Sequence, residues 1–292
     1  MDEIKKGKLY IVATPIGNSR DLSPRGREIL TTADMIAAED TRRSMVLMNK
    51  LEIKNRLVSN HKFNEYGKAR WFVEQMLEGK NVAVVTDAGT PCISDPGNEL
   101  IKAAVEAGID VVGIPGCCAA VNALAISGFD LSNFLFYGFF PRENAQRRKL
   151  MDKMRQADCR TFAFYESPKR IMDLIDFLIE YGARCRLCLC NDMTKLHEAA
   201  YRGSPQEVKE LLLAKGSYDK GEYALALELE EDYRYTKVEH TVSAQAMLVD
   251  AMVAQGISLR DAVSAVLADE NNSYSKNQLK AAALDLKRIL EV

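Results

Sequence analysis

The residues best placed to do chemistry in this 292-residue sequence lie in one loop, residues 86–97, which holds Asp87 and Asp95 among two glycines and two prolines. The glycines and prolines give an irregular backbone whose amides can approach a ligand. Asp87 can accept a hydrogen bond from an ammonium group or a ribose hydroxyl. Asp95 has an equally good second interpretation, as the N-cap of the next helix with Pro96 as the first helical residue.

Two further loops also follow apolar runs, and we expect them to lie beside the loop of residues 86–97. Residues 114–120 (Ile-Pro-Gly-Cys-Cys-Ala-Ala) carry small side chains that let a flat ring lie against the backbone, although tight helix packing explains them nearly as well. Residues 13–18 (Ala-Thr-Pro-Ile-Gly-Asn) contain a sharp turn from proline to glycine. Open α/β sheets bind their ligands at such loops, where the strands end.

Several common chemistries lack their sequence patterns. The seventeen glycines include no Gly-x-Gly, which argues against a dinucleotide fingerprint, and neither a Walker A loop nor a Gly-x-Ser-x-Gly elbow occurs. Three histidines without a His-Glu-x-x-His pattern argue against a metal site. The pattern Cys185-x-x-Cys188-x-Cys190 has no second pair at zinc-ligand spacing, so we interpret it as small apolar residues of a strand.

The elements that must position these loops alternate between apolar runs of strand length and amphipathic helical stretches. In the first 120 residues this alternation predicts repeated βα winding around a buried, parallel sheet, and a second α/β unit follows. The predicted strands are 9–13, 35–38, 82–86, 111–114, 134–140, 160–165, 184–190 and 223–230. The predicted helices are 24–32, 66–78, 98–107, 119–127, 143–156, 168–181, 205–215, 259–268 and 276–290.

We therefore predict an α/β fold with an N-terminal domain (residues 1–120), a second α/β domain (121–234) and a helical tail (240–292). The polar residues 231–240 are interpreted as a linker. The tail is typical of a helix-turn-helix unit, although any helical hairpin gives the same pattern. Lys276, Lys280 and Lys287 share one face of the last predicted helix, either as a solvated face or as an RNA contact.

Composition limits the class of protein. Hydrophobic residues make up 47% and charged residues 27% of the chain, as in ordinary globular proteins. Without an apolar run of about 18 residues, no membrane span is predicted, and the clustering of seven cysteines favours reduced thiols and a cytoplasmic location. The net charge of −2 gives no global attraction to nucleic acid.

Local charge is different in residues 142–170. This stretch holds nine basic residues against four acidic ones, which predicts a phosphate-binding footprint, while a solvated helix face would give a similar count. The predicted RNA contacts are Arg20, Arg42, Arg43, Arg142, Arg147, Arg148, Lys149, Lys169, Arg170 and Lys195.

Seven segments, in order along the chain, resemble a known family. They are residues 9–18 (Leu-Tyr-Ile-Val-Ala-Thr-Pro-Ile-Gly-Asn), 37–42 (Ala-Ala-Glu-Asp-Thr-Arg), 87–97, 137–141 (Tyr-Gly-Phe-Phe-Pro), 164–170 (Phe-Tyr-Glu-Ser-Pro-Lys-Arg), 194–198 (Thr-Lys-Leu-His-Glu) and 221–222 (Gly-Glu). Together they make the chain similar to the ribosomal RNA small-subunit 2′-O-ribose methyltransferases, which modify a decoding-site cytidine. That family is a branch of the tetrapyrrole methylase superfamily.

The resemblance implies a fold, a cofactor and partners. It implies two α/β domains of the tetrapyrrole methylase type with S-adenosylmethionine in the cleft between them, usually in a homodimer. The partner would be small-subunit ribosomal RNA, as naked RNA or in an assembled subunit. The implied cofactor contacts are Pro15, Asp87, Ala88, Gly89, Ile93, Ser94, Pro115, Gly116, Ala119, Tyr165 and Glu222.

The identity of the catalytic base stays open at the level of sequence. A neutral ribose hydroxyl is a poor nucleophile, so a nearby base would help. Our candidates are Asp87, Glu39 and Glu198, and Asp40 and His61 are further possibilities. Each carboxylate has the alternative role of an ion-pair partner for a nearby arginine or lysine.

The sequence departs from the family pattern at two places. Cys117-Cys118 replaces Pro-Ser, which weakens a hydrogen bond in the cofactor loop, and Asn191-Asp192-Met193 replaces Arg-Glu-Leu, which removes one basic residue. Two alternative functions remain. One is methylation of a tetrapyrrole ring on the same scaffold, and the other is a non-catalytic RNA-binding protein that has kept the fold.

Overall fold

The computed structural model describes residues 5–61, 65–233, 242–269, 272 and 274–290. The chain divides into two compact units, Met1–Arg234 and Tyr235–Val292. Both predicted α/β domains lie in the first unit. The predicted boundary at residue 240 and most of the predicted linker lie outside the described residues.

The first sheet is parallel, as the βα pattern predicts. Its strand order is β3-β2-β4-β1-β5, so the C-terminal ends of all five strands lie at one edge. The strands β2 and β4 are buried at every position because both faces of the sheet are covered. The strands are β1 (Leu9–Val12), β2 (Met35–Ala38), β3 (Leu57–Ser59), β4 (Val82–Val85) and β5 (Val111–Ile114).

Four helices connect these strands: α1 (Pro24–Thr32), α2 (Thr41–Lys50), α3 (Glu65–Leu77) and α4 (Asn98–Glu106). Ser23 caps α1, which has Pro24 in its first turn. Helix α2 was not predicted, although Asp40 caps it by accepting a hydrogen bond from the backbone of Arg42 at 2.9 Å. This cap places Glu39 and Asp40 between the end of β2 and the start of α2.

The second sheet is mixed, which the predicted alternation of strands and helices did not indicate. Its order is β6-β7-β10-β8-β9, with β6 parallel to β7 and the other neighbours antiparallel. The strand β9 was not predicted. The strands are β6 (Phe134–Phe139), β7 (Thr161–Glu166), β8 (Cys185–Asn191), β9 (Ala199–Gly203) and β10 (Tyr223–Leu229).

The helices α6 (Asn144–Arg155), α7 (Ile171–Glu180) and α8 (Pro205–Lys215) accompany this sheet, as does the short α5 (Ala119–Ala125). Helix α5 packs on small residues of the sheet, among them Cys188, Cys190 and Ala226. The interpretation of the cysteine pattern as a strand is confirmed, and the Cys188 and Cys190 sulfurs lie 3.9 Å apart. The predicted boundary at residues 120 and 121 falls inside α5.

The second unit contains α9 (Ala244–Gln255), α10 (Leu259–Ala268) and α11 (Lys276–Leu290) around their own apolar core. Gly256 ends α9 in the left-handed conformation, with φ at 64°. Within the described residues, no single helix has the length and apolarity to cross a membrane. The helices α9 and α10, bent by 103°, meet that test only as a pair and only by length and composition.

Candidate active site

A cavity of about 510 Å³ opens between the two sheets, a size typical of small-molecule sites. The first sheet contributes the loops that follow β1, β2 and β4. The second contributes the ends of β6 and β7 and the residues around Glu222. The cavity therefore lies at the C-terminal edge of the first sheet, where the sequence placed it.

Backbone hydrogen bonds join the predicted loops. Thr14 and Gly89 exchange two backbone hydrogen bonds of 2.9 and 3.0 Å, and the Thr90 hydroxyl donates to the Cys117 carbonyl at 2.9 Å. Gly89 has a φ of 84°, a conformation that favours glycine. These contacts hold the three predicted loops together as one wall.

The acidic wall of the cavity consists of Glu39, Asp87 and Asp95. Thr86 donates a hydrogen bond of 2.7 Å to Glu39. The guanidinium of Arg43 donates to Asp87 Oδ2 at 2.8 Å. Asp87 Oδ1 is buried, and within the described part of the chain it has no hydrogen-bond partner. That oxygen is therefore available to a donor in the cavity.

Asp95 is not a helix cap. Helix α4 begins at Asn98, and its N-cap is Gly97, whose φ of 132° is not helical, so the helix does not extend back to Asp95. The half-buried carboxyl of Asp95 lines the cavity instead. Burial, together with the nearby negative charges of Glu39 and Asp87, raises the pKa of Asp95 to about 6 despite a hydrogen bond with Thr86.

The opposite wall comes from the second sheet. The Tyr165 hydroxyl accepts a hydrogen bond of 3.3 Å from the first turn of α5, at Ala120, and burial raises the pKa of Tyr165 to about 12. Glu166 is 2% exposed, and it pairs with Arg170 at 2.5 Å. Burial raises the pKa of Glu166 despite that partner. This wall thus combines the Tyr165 ring with Glu166, a buried carboxylate that is paired with an arginine.

Most of the cofactor residues implied by the resemblance are brought together. Those that line the cavity are Asp87, Ala88, Gly89, Ile93, Ser94, Ala119, Tyr165 and Glu222. The other three, Pro15, Pro115 and Gly116, belong to the adjoining loops and are not among the lining residues that the structure describes. Gly116 instead packs so closely that an added Cβ would meet Ala13 Cβ at 2.9 Å.

The candidate bases separate into two groups. Glu39 and Asp87 line the cavity, whereas Glu198 is exposed and accepts a hydrogen bond of 2.9 Å from the Thr194 backbone. Asp40 caps α2, and the Arg42 side chain lowers the pKa of Asp40 to about 2. Glu198 and Asp40 thus have structural partners outside the acidic wall.

The sequence missed several lining residues because their side chains carry no chemical signal. Ile16, Phe139 and Met193 are apolar, and the position of each depends on the approach of the two sheets. Cys118 also lines the cavity, at one of the departures from the family pattern. The preceding residue, Cys117, has its sulfur 3.8 Å from the Asp21 carbonyl oxygen.

The predicted RNA contacts differ in exposure. Arg43 lines the cavity, and Arg170 and Lys195 are engaged in ion pairs, Lys195 with Asp192 at 2.8 Å and Glu222 at 2.7 Å. The exposed cations are Arg20, Arg42, Arg142, Arg148, Lys149 and Lys169. The prediction is wrong for Arg147, whose side chain is 2% exposed and is paired with Asp173 at 2.5 Å.

Comparison with known proteins identifies the family. The model of the Tetrapyrrole (Corrin/Porphyrin) Methylases matches residues 8–209. Ribosomal RNA small subunit methyltransferase I of Haemophilus influenzae is 38% identical over 94% of this chain and 95% of its own length. The protein of the same name from Escherichia coli O157:H7 is 37% identical over 96% of both chains. The chain belongs to the ribosomal RNA small subunit methyltransferase I family.

Solved structures of other tetrapyrrole methylases share the fold. Uroporphyrin-III-C-methyltransferase from Thermus thermophilus has a TM-score of 0.52 and 20% identity over 76% of this chain and 94% of its own. The methyltransferase CobJ has a TM-score of 0.54 and 16% identity over 76% of this chain and 94% of its own. The predicted fold class, two α/β domains of the tetrapyrrole methylase type plus a small helical C-terminal domain, is confirmed.

Proposed function

We propose that this protein transfers a methyl group from S-adenosylmethionine to the 2′-hydroxyl of a ribose, that of a cytidine, in small-subunit ribosomal RNA. The observation that carries the proposal is an inter-sheet cavity with an acidic wall, in a chain of the ribosomal RNA small subunit methyltransferase I family. The ribose and the cytidine are the finer parts of the proposal, and they rest on the family resemblance.

The residues present fit S-adenosylmethionine. The buried, unpartnered oxygen of Asp87 suits a hydrogen-bond donor such as an ammonium group or a ribose hydroxyl. The negative wall suits a cofactor that carries a sulfonium and an ammonium charge. We propose that the cofactor contacts Asp87, Ala88, Gly89, Ile93, Ser94, Ala119, Tyr165 and Glu222, with Pro15, Pro115 and Gly116 supporting it from behind.

The chain acts mainly by positioning the two reactants. When bound, the cofactor supplies an activated methyl group with a good leaving group. The loops after β1, β4 and β5 hold one reactant, and the Tyr165 ring lines the opposite side of the cavity. Holding two reactants in line replaces a bimolecular encounter, which accounts for a large part of the rate enhancement of many enzymes.

The exposed cations support RNA as the partner. Arg43 lies at the cavity, and Arg42 precedes it on the exposed side of α2. Lys169 follows Pro168, which lines the cavity, and Arg142 lies three residues after Phe139, which also lines it. Backbone phosphates pair with such side chains, and this charge distribution favours RNA over a tetrapyrrole ring.

Two further parts of the proposal concern assembly and location. The edge strand β6 exposes Phe134 and Leu135, each with about 40% of its surface accessible, and this apolar edge supports a homodimer. Sedimentation equilibrium tests the dimer. Since the substrate is ribosomal, the proposed location is the cytoplasm.

The deciding experiment transfers radiolabelled methyl groups to small ribosomal subunits and, separately, to naked ribosomal RNA from cells lacking this protein. Nuclease mapping and nucleoside mass spectrometry then locate the label. Label in one 2′-O-methylcytidine supports the proposal, while label on a base or none contradicts it. Subunits from cells that contain the protein serve as the control, because their acceptor is already methylated.

A further inference from the structure

We propose that Asp95 is the general base that accepts the proton of the ribose 2′-hydroxyl during methyl transfer. This inference rests on the proposed function and adds the catalytic residue that sequence reasoning left unassigned. Asp95 lies in the cavity and outside helix α4.

The loop around Asp95 is built to hold it there. Cys92 has a φ of 70°, a left-handed conformation that non-glycine residues rarely adopt, and Gly97 has a φ of 132°. A Cβ added to Gly97 would lie 2.5 Å from the Cys92 sulfur, so the two ends of this turn are in contact. Strained backbone of this kind persists where the surrounding structure fixes a functional residue.

The other two carboxylates of the acidic wall already have partners. Asp87 is ion-paired with Arg43 at 2.8 Å, and Glu39 accepts the Thr86 hydroxyl at 2.7 Å. Asp95 shares the Thr86 hydroxyl, which favours the ionised form of Asp95, the form that can accept a proton. Unlike Asp87, which is held by the Arg43 guanidinium, Asp95 lines the cavity with its pKa raised by burial, so its carboxylate is suited to take up a proton from a ligand.

The charged and titratable groups around Asp95 suit this role. The cavity that it lines also receives side chains from every neighbouring element, namely Glu39, Arg43, Asp87, Cys118, Tyr165, Glu166 and Glu222. Burial and the charges of Glu39 and Asp87 raise the pKa of Asp95 to about 6. A base whose pKa lies just below the working pH is ionised and still accepts a proton effectively.

The ribose oxygen forms a bond to the methyl carbon as the methyl–sulfur bond breaks, and the electron pair of that bond stays on sulfur. The hydroxyl proton passes to an Asp95 oxygen, and water takes it after the product leaves. The neutral thioether product and the protonated carboxyl together account for the starting charges.

The test compares wild type with Asp95→Asn and Asp95→Glu by three measurements. The rate of single-turnover methyl transfer to small subunits is measured from pH 5 to 9. The affinity for S-adenosylhomocysteine is measured by calorimetry. The titration of the carboxyl groups is followed by ¹³C NMR of aspartate-labelled protein without cofactor. Asp40→Asn is the matched control, because it makes the same change at the same sheet edge but outside the cavity, and asparagine also caps helices well.

We expect Asp95→Asn to lower the single-turnover rate by about 10²- to 10⁴-fold while changing S-adenosylhomocysteine affinity less than threefold. The transfer rates of wild type and of Asp95→Glu should both fall at low pH. The carboxyl NMR signal that is present in wild type and missing from Asp95→Asn should titrate near pH 6. A rate within fivefold of wild type, a titration near pH 4, or an equal loss of affinity overturns the assignment. If wild type transfers no methyl to a ribose, the proposed function fails, and the inference fails with it.

Discussion

The Thr86 hydroxyl donates a hydrogen bond of 2.7 Å to Glu39, and it thereby joins the ends of the neighbouring strands β4 and β2. Both strands are parallel, so both residues lie at the same edge of the sheet. The same hydroxyl contacts Asp95 and lowers its pKa against the effect of burial. One small side chain thus organises two of the three carboxylates at the cavity.

Thr86→Val should shift to higher pH the range in which the methyl-transfer rate falls with acidity. Loss of the hydroxyl removes a hydrogen bond that favours ionised Asp95, so the pKa of Asp95 rises above its value of about 6. We expect a shift of about 0.5 to 1 pH unit, because the site is only half-buried. Thr86→Ser keeps the hydroxyl and should keep the wild-type profile, whereas identical profiles for all three proteins would refute the role of Thr86.

Asp95→Asn should stabilise the protein at neutral pH while impairing transfer. The folded-state pKa of Asp95 is raised from 3.8 to about 6, so ionisation of Asp95 opposes folding. Wild type therefore loses stability relative to Asp95→Asn as pH rises from about 4 through 6. After allowance for solvent screening, the difference in unfolding free energy should grow by about 1 kcal/mol between pH 4 and 7.5.

Urea denaturation of both proteins at several pH values measures this difference. A constant difference across the range would show that the carboxyl titrates normally, and it would remove the electrostatic account of Asp95. Gains in stability at the expense of activity are a common property of active-site substitutions.

Arg147 and Arg148 are adjacent on α6, but substitution of Arg147 should lower stability, whereas substitution of Arg148 should weaken RNA binding. The Arg147 side chain is buried, donates to the Pro141 carbonyl at 2.9 Å and pairs with Asp173, so Arg147→Ala should cost about 3 kcal/mol of unfolding free energy. Arg148 is exposed, so Arg148→Ala should change stability by less than about 0.5 kcal/mol.

The same pair tests the RNA surface. Arg148→Ala should weaken binding to small-subunit ribosomal RNA and reduce the salt dependence of the binding constant by about one counterion. Filter binding across a range of salt concentrations measures both. An unchanged salt dependence would place Arg148 outside the RNA contact.

Gly116→Ala should distort the loop between β5 and α5. The new Cβ would lie 2.9 Å from Ala13 Cβ, which leaves the backbone no room to stay in place, and such overpacking costs about 1–3 kcal/mol. Gly113→Ala, on the strand β5 that precedes this loop, is the matched control, because an added Cβ there meets nothing within 4 Å. Thermal unfolding and S-adenosylmethionine affinity should change for Gly116→Ala, and equal effects of the two substitutions would argue against a close approach.

The fold could be predicted where a strand is buried and bounded by clear turns. The run Val82–Val85 is apolar at every position and ends at Thr86 and Asp87, so its strand and its loop were both readable. The strand Leu57–Ser59 was missed because three residues carry no periodicity. The strand Ala199–Gly203 (Ala-Ala-Tyr-Arg-Gly) pairs through its backbone with β8, a contact that the sequence does not encode locally.

Helix boundaries near the site show the same limit. Pro168 suggested the first turn of a helix, but α7 begins at Ile171. The intervening residues form a turn, with a backbone hydrogen bond of 3.0 Å from Arg170 to Ser167, beside the ion pair of Arg170 with Glu166. Of the two interpretations of Asp95, the helix cap is not the one observed, because tertiary contacts at the cavity determine where each chain segment turns.

The position of β10 has a consequence for the order in which this protein is made. The strand is the last of its sheet in sequence, at Tyr223–Leu229, yet it lies between β7 and β8 at the centre. During synthesis the first sheet has all its strands once Ile114 has left the ribosome. The second sheet stays in two halves until β10 emerges, so a nascent chain is expected to have half of its cofactor cleft formed long before the other half can close it.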